Sequence, residues 1–314
     1  MVGLGLCRFG FSRKAGGPGG LTDGFMDLRA IAMGVAFAIM WASAFTSARM
    51  IVADAPPLTA LAIRFLISGL IGILLARLLG QSWRLSRAQW VATLVFGICQ
   101  NALYLGLNFV AMQTIEASLA AIIASTMPLL VALGGWLVFG EKVRALGAAG
   151  LVIGVIGVAL IMGSRLSAGV DMFGLTLCVI GVISLTIATM AVRGASSGGN
   201  LLMIVGIQML IGSASLALIA IPTEPFEVNW TLRLTLSFIY TTLVPGLAAT
   251  WVWFLLVQKI GAVRAATFHF LTPFFGVAVA AILLDEPLRG LDIAGVAIIM
   301  LGILAVQLSK QPSR

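Results

Sequence analysis

A chain of 314 residues with 61% apolar and 10% charged side chains carries more hydrocarbon than a water-soluble fold of that length can hide. Its formal charge of +8 comes from lysines and arginines scattered through short segments between apolar runs, not gathered in one patch, which excludes a nucleic-acid-binding surface. Lipid is the solvent that suits such a sequence.

In lipid every backbone polar group must find a partner inside the protein, so helices or a closed barrel are the available solutions. The apolar runs here are about 20 residues long and continuous, not alternating, which selects helices. Ten spans follow in chain order, at residues 30–52, 58–79, 88–112, 116–139, 145–163, 172–192, 200–221, 232–257, 262–284 and 289–308. Glycine and proline mark the joins, as in Ala55-Pro56-Pro57 and Ser196-Ser197-Gly198-Gly199. Ahead of the first span, residues 1–25 are Gly-rich, carry Arg8, Arg13 and Lys14, and lack the apolar core of a cleavable signal. They are expected to be disordered or to reflect a misassigned start, with Met26-Asp27-Leu28-Arg29 as the natural beginning. Cys7, Cys99 and Cys178 are isolated, and no spacing suggests a metal site or a disulfide framework.

Charge sets the orientation. With a cytoplasmic N-terminus, the inner segments hold fourteen of the nineteen lysines and arginines. The outer segments hold Arg49, Arg165, Arg233 and Arg289, and Arg64 is left within the membrane. That bias predicts a multi-pass protein of the plasma (inner) membrane with both termini cytoplasmic.

The second half repeats the first at an offset of 145 residues. Gln113 pairs with Gln258, Pro128 with Pro273, Glu141 with Glu286, Arg144 with Arg289, and Gly157 with Gly302. Five spans is an odd number, so the second copy enters the bilayer from the other side. Inverted repeats of this kind underlie alternating access, with the substrate site near the midplane where the halves meet. The expected organisation is a tail at 1–27, a first five-helix half at 28–165, a second at 170–308 and a tail at 309–314.

Several of these residues carry a resemblance. Trp41-Ala42-Ser43-Ala44-Phe45 in the first span, Gly140-Glu141-Lys142 after the fourth and Asp285-Glu286-Pro287-Leu288 after the ninth join the mid-helix prolines and the five-plus-five arrangement. Over roughly residues 28–308 the chain resembles the EamA-type family of the drug/metabolite transporter superfamily. The resemblance implies secondary transport of amino acids, related metabolites or drugs, often as efflux, without ATP or another cofactor. No Gly-rich loop followed by Lys-Ser/Thr appears in the sequence, in keeping with that.

Arg64 lies about six residues, or about 9 Å, into the second span. A guanidinium in lipid costs at least about 2.5–3.5 kcal/mol, so it is expected to face the bundle interior or to snorkel. It suits an anionic group such as a carboxylate, or else the carbonyls of a helix end. Gln208 holds the related place in the second half. His269, the single histidine, is a candidate for proton coupling or a structural residue. Pro128 and Pro273 are candidate paired gates or plain kinks. Trp41, Ser43, Tyr104, Asn108, Thr126 and Trp253 complete a candidate substrate lining, each with helix packing as its alternative. Trp41, Ser43 and Thr46 do not share one face.

Glu141 and Glu286 are expected to complement the N-terminus of the helix that follows each. Gly147, Gly150, Gly154, Gly157, Gly295 and Gly302 permit close packing, either between the halves or in a homodimer. An importer or exchanger is the alternative within the transport class. A membrane-embedded enzyme is more distant, because no carboxylate falls at mid-membrane among the sequence-read spans.

Overall fold

A computed structural model describes residues 28–191 and 199–309, and among them every regular element is helical. Among the described residues, ten helices are long and apolar enough to cross a membrane. They are α1 (Leu28–Val52), α2 (Pro57–Leu78), α3 (Arg87–Ala111), α4 (Ala117–Phe139), α5 (Ala145–Ser167), α6 (Met172–Ala191), α7 (Leu201–Thr223), α8 (Leu232–Val257), α9 (Arg264–Leu284) and α10 (Gly290–Ser309). The sequence-read spans agree with them to within four residues at each end. The expected N-terminal tail at 1–27, Ser196-Ser197-Gly198 of one join, and residues 310–314 of the C-terminal tail lie outside the described residues.

Local chemistry sets the helix ends. Ser86 and Gln89 form a reciprocal capping box at the start of α3. Thr231 Oγ1 accepts the Leu234 N–H at 3.0 Å to start α8. Proline at Pro57 opens α2, where its missing N–H costs nothing. α4 and α9 end on left-handed residues, Gly140 at φ 63° and Asp285 at φ 53°. Those two positions are 145 residues apart.

Glycines on both sides let α5 and α10, and likewise α2 and α7, touch backbone to backbone. A Cβ at Gly302 would stand 2.7 Å from Gly150 O and 2.7 Å from Gly154 N, so α5 and α10 meet where no side chain fits. Gly157 and Gly295 continue the seam, each presenting its carbonyl to the other. In the second pair, a Cβ at Gly206 of α7 would lie 3.1 Å from Gly69 O and 2.9 Å from Ile73 N of α2. Close approach of this kind is how helices associate where burial from water supplies no drive. Gly150, Gly157, Gly295 and Gly302 of the glycine stripe therefore pack α5 against α10.

Four helices are irregular at mid-length. α3 carries a π-helical stretch at Gly97–Tyr104 and α8 another at Val244–Ala248. α4 breaks at Thr126, with Pro128 opening its second part. α9 passes through a 3₁₀ turn at Phe268–Leu271, after which Thr272 and Pro273 begin its last part. Pro128, Pro245 and Pro273 each lack the N–H that a continuous helix would use. All four irregular segments border the same interior space.

Candidate functional site

A cavity of about 510 Å³ lies among α1, α2, α3, α4, α6, α7, α8 and α9, within the size range of small-molecule sites. From α1 it receives Phe37, Trp41 and Phe45, which follow one another at four-residue spacing and so share a face. α2 contributes Arg64 and Phe65, and α3 contributes Gln100, Asn101 and Tyr104 from its π-helical stretch. Ser125 and Pro128 flank the break in α4. Gln208 comes from α7, Gly246 and Trp253 from α8, and His269 and Thr272 from α9.

Aromatic rings build one wall. Phe37 and Trp253 have centroids 4.8 Å apart, and His269 sits 5.2 Å from Phe37 and 5.3 Å from Trp253. Trp41 meets the His269 ring edge-on at 6.2 Å. The cluster joins α1 to α8 and α9. Gly34, one turn from Phe37, has no Cβ because the Phe268 ring would lie 2.3 Å from it.

Arg64 is 7% exposed, and its Nε has no hydrogen-bond partner. Its guanidinium carbon lies 5.3 Å from the centroid of the neighbouring Phe65 ring. Gly246, inside the π-helical stretch of α8, lies beside it: a Cβ there would be 3.5 Å from Arg64 Nη2, an ordinary contact. No Asp or Glu occurs among the described residues that line the cavity. Asn101 is buried and donates from Nδ2 to the Gln208 carbonyl at 2.9 Å, tying α3 to α7.

Of the residues singled out from sequence, Trp41, Arg64, Tyr104, Pro128, Gln208, Trp253 and His269 line this one cavity. Ser43 turns away from it, donating to the Met40 carbonyl at 2.8 Å and meeting Tyr240 Oη at 2.8 Å. Asn108 packs against Gly181 of α6 and donates to the Tyr104 carbonyl at 2.8 Å. Thr126 donates to the Ile123 carbonyl at 2.7 Å within the break of α4. Pro273 is buried beside the lining residue Thr272 and does not itself line the space. Phe37, Phe65, Gln100, Asn101, Gly246 and Thr272 were not anticipated. The Phe37, Trp41, Phe45 spacing was the available signal for the first of them.

The cavity extends to Gln89 and Thr93 in the first turns of α3 and to Leu201 at the start of α7. That end of the bundle also carries the two ends of the described chain. At the other end gather the joins at 53–56, 112–116, 168–171, 224–231 and 285–289, and polar contacts bind them. Glu286 accepts the N–H groups of Ala117 and Ser118 at 2.7 and 3.0 Å. It therefore complements the start of α4, not the helix that follows it in sequence. Glu224 serves α2 in the same way, accepting from Leu58 N and Thr59 N at 2.8 Å each. At the opposite end Gln81 accepts from Met203 N at 3.1 Å, so α2 and α7 cap each other reciprocally.

Arg165, expected as a loop charge, falls within α5 and is 3% exposed. It pairs with Glu116, and at 2.7 Å with Asp292 of α10. Arg289 lies 3.9 Å from Glu116. Arg49 donates to the Met112 carbonyl. Asp54 gathers Asn229, Thr231 and Arg233 at 3.0–3.3 Å. The Arg233 guanidinium, with help from Thr231 and Asn229, holds the Asp54 carboxyl below the usual carboxylate range. Thr114 donates to Asp171 at 2.6 Å and lowers that carboxyl likewise.

The sequence model of the EamA-like transporter family matches residues 28–163 and again 172–308. An uncharacterized transporter of Bacillus subtilis, YvbV, is 28% identical over 278 residues, which span 88% of this chain and 90% of the relative. Protein PecM of Dickeya dadantii is 26% identical over 267 residues, 84% of this chain and 86% of that one. An Escherichia coli protein named as a probable amino-acid metabolite efflux pump is 25% identical over 290 residues, 84% of this chain and 90% of its own. A solved structure titled only as a crystal structure of a protein has the same fold, with a TM-score of 0.65 at 21% identity, covering 89% of this chain and 98% of the other.

Proposed function

Because this chain belongs to the EamA-like transporter family, we propose that it is a secondary carrier that moves small organic metabolites across the plasma membrane by alternating access, in the direction of efflux. The observation that carries this reading is a cavity walled by helices from both halves that reaches one end of the bundle, while caps and ion pairs join the halves at the other end. The relative named as an amino-acid metabolite efflux pump supports amino acids or related compounds as cargo.

Two inverted five-helix halves, at 28–165 and 170–308, are the architecture of this carrier. Support comes from the 145-residue spacing of Gly140 and Asp285, from π-helical stretches at corresponding depths of α3 and α8, and from the reciprocal caps of α2 and α7. The same offset assigns Glu141 to the backbone at 262 and 263, as Glu286 serves 117 and 118. In this account the two carboxylates are opposed latches, and the breaks at Pro128 and Pro273 are where α4 and α9 bend as one end opens and the other closes. The positive-inside bias places the open end toward the cytoplasm. Proton coupling is a separate part of the proposal. It rests on His269 in the aromatic wall, and transport unchanged by an imposed pH gradient would remove it.

Metabolites inside and outside cells making the protein, compared with cells making Arg64→Ala, test the carrier reading. Depletion inside with accumulation outside, lost in the variant, is the expected result. An identical metabolite profile with and without the protein would remove efflux from the account.

A further inference from the structure

Resting on the carrier reading, we infer that the species bound in the cavity is a small organic anion with a flat apolar body, held more tightly without an ammonium group than with one. Arg64 supplies the first part. Its guanidinium lines the cavity while 7% exposed, leaves Nε without a partner, and has Gly246 beside Nη2, where a Cβ would stand 3.5 Å away. A planar fork of N–H donors held without a protein counter-anion is complementary to a carboxylate or a similar oxyanion. A buried cation of this kind is costly to retain in a membrane helix, and a ligand that neutralises it removes that cost.

The second part comes from the wall and from what is missing in it. Phe37, Trp41, Trp253 and His269 stand with centroids 4.8–6.2 Å apart along one side, a surface that accepts a ring or another flat apolar group by stacking. Among the described lining residues no carboxylate is present to receive an ammonium. An ammonium would find ring faces and amides in place of a carboxylate, and would share the space with the charge of Arg64. A zwitterionic amino acid satisfies half of this site, and an organic amine none of its charge. The substrate class is therefore an aromatic or similarly flat monoanion, with Arg64 as the residue that selects charge.

Three compounds sharing one ring and a two-carbon arm separate the possibilities: 3-phenylpropionate, phenylalanine and 2-phenylethylamine. Binding to the purified full-length chain is read from quenching of tryptophan fluorescence, since Trp41 and Trp253 face the cavity. The expected order is carboxylate tightest, the amino acid between, and the amine at least about tenfold weaker than the carboxylate. Arg64→Gln is expected to weaken 3-phenylpropionate by about tenfold or more while the amine binds at least as tightly as before, and Arg64→Lys to keep part of the preference. If Arg64→Gln does not fold, the order among the three ligands on the unaltered protein decides the matter.

An amine that binds as tightly as the carboxylate overturns the assignment, as does an amino acid that binds tighter than both, or no saturable quenching by any of the three. These outcomes leave the carrier reading where the metabolite comparison puts it. A protein that exports metabolites yet prefers the amine keeps its function and loses this charge selection. A protein that shows the expected order yet exports nothing keeps the site and loses efflux.

Discussion

Glu286→Ala perturbs a contact whose size follows from the geometry. The carboxylate accepts two N–H groups at the first turn of α4, from Ala117 at 2.7 Å and Ser118 at 3.0 Å. Both residues are buried, so neither donor has solvent waiting on its own side. A buried donor left without an acceptor costs about 1–3 kcal/mol. Glu286 is itself half-buried, and water can enter the space that it vacates, so the low end applies to each donor and the pair sums to about 2 kcal/mol. That figure corresponds to about a 30-fold shift in the local opening equilibrium. Amide hydrogen exchange in nanodiscs reads this shift at the site itself. Exchange at Ala117 and Ser118 should accelerate about 30-fold, while Leu58 and Thr59, capped by Glu224, keep their rates. Unchanged exchange at 117–118 would refute the cap as an energetic latch. Equal acceleration at both places would mean that the variant loosens the whole bundle.

Three further outcomes follow from the packing and the charges. Gly302→Ala places a methyl 2.7 Å from the backbone of α5 and should lower thermal stability by about 1–3 kcal/mol, whereas Gly163→Ala, inside α5 with nothing within 4 Å, should leave the melting temperature in place or raise it. Arg165→Met strands Asp292, which is 2% exposed, and should cost about 3–5 kcal/mol, seen as loss of folded protein in the membrane fraction; adding Asp292→Leu should recover much of the yield. Asp54 gives a pH signature. Its folded carboxyl titrates below the unfolded one, so its contribution is complete above the unfolded value, about pH 4, and is lost as pH falls through the folded value. Thermal unfolding at pH 7 should therefore separate the wild type from Asp54→Asn, with the gap closing below the ordinary carboxylate range; a gap that widens on acidification contradicts the Arg233 pairing.

The spans were legible because a continuous apolar run about 20 residues long has one solution in lipid. The end of α5 was not, and the reason is physical. Arg165 reads as a loop charge until Glu116 and Asp292, more than 45 and 125 residues away, are seen to neutralise it. The caps by Glu224, Glu286 and Gln81 were hidden for the same cause, since each joins residues more than 100 positions apart. Arg64 stood out because the cost of a guanidinium in a membrane helix is independent of its neighbours. The π-helical stretch of α3 left no mark: it contains no proline, and its Gln100 and Asn101 look like ordinary packing amides until both are found on the cavity wall. Ser43, two positions from Trp41 and so on another face of the helix, meets Tyr240 Oη instead of lining the cavity.

Alternating access by one cavity is the central claim, and reciprocal accessibility of a single position tests it. Gln100, on the cavity wall, is replaced by cysteine in a chain lacking its native cysteines, and labelled with a membrane-impermeant maleimide in inside-out and right-side-out vesicles. The account predicts reaction from both sides, with Glu286→Ala raising the rate from the side of the 285–289 join and lowering the rate from the side of the termini. A cysteine reached from one side alone, or rates that rise together from both, would contradict it.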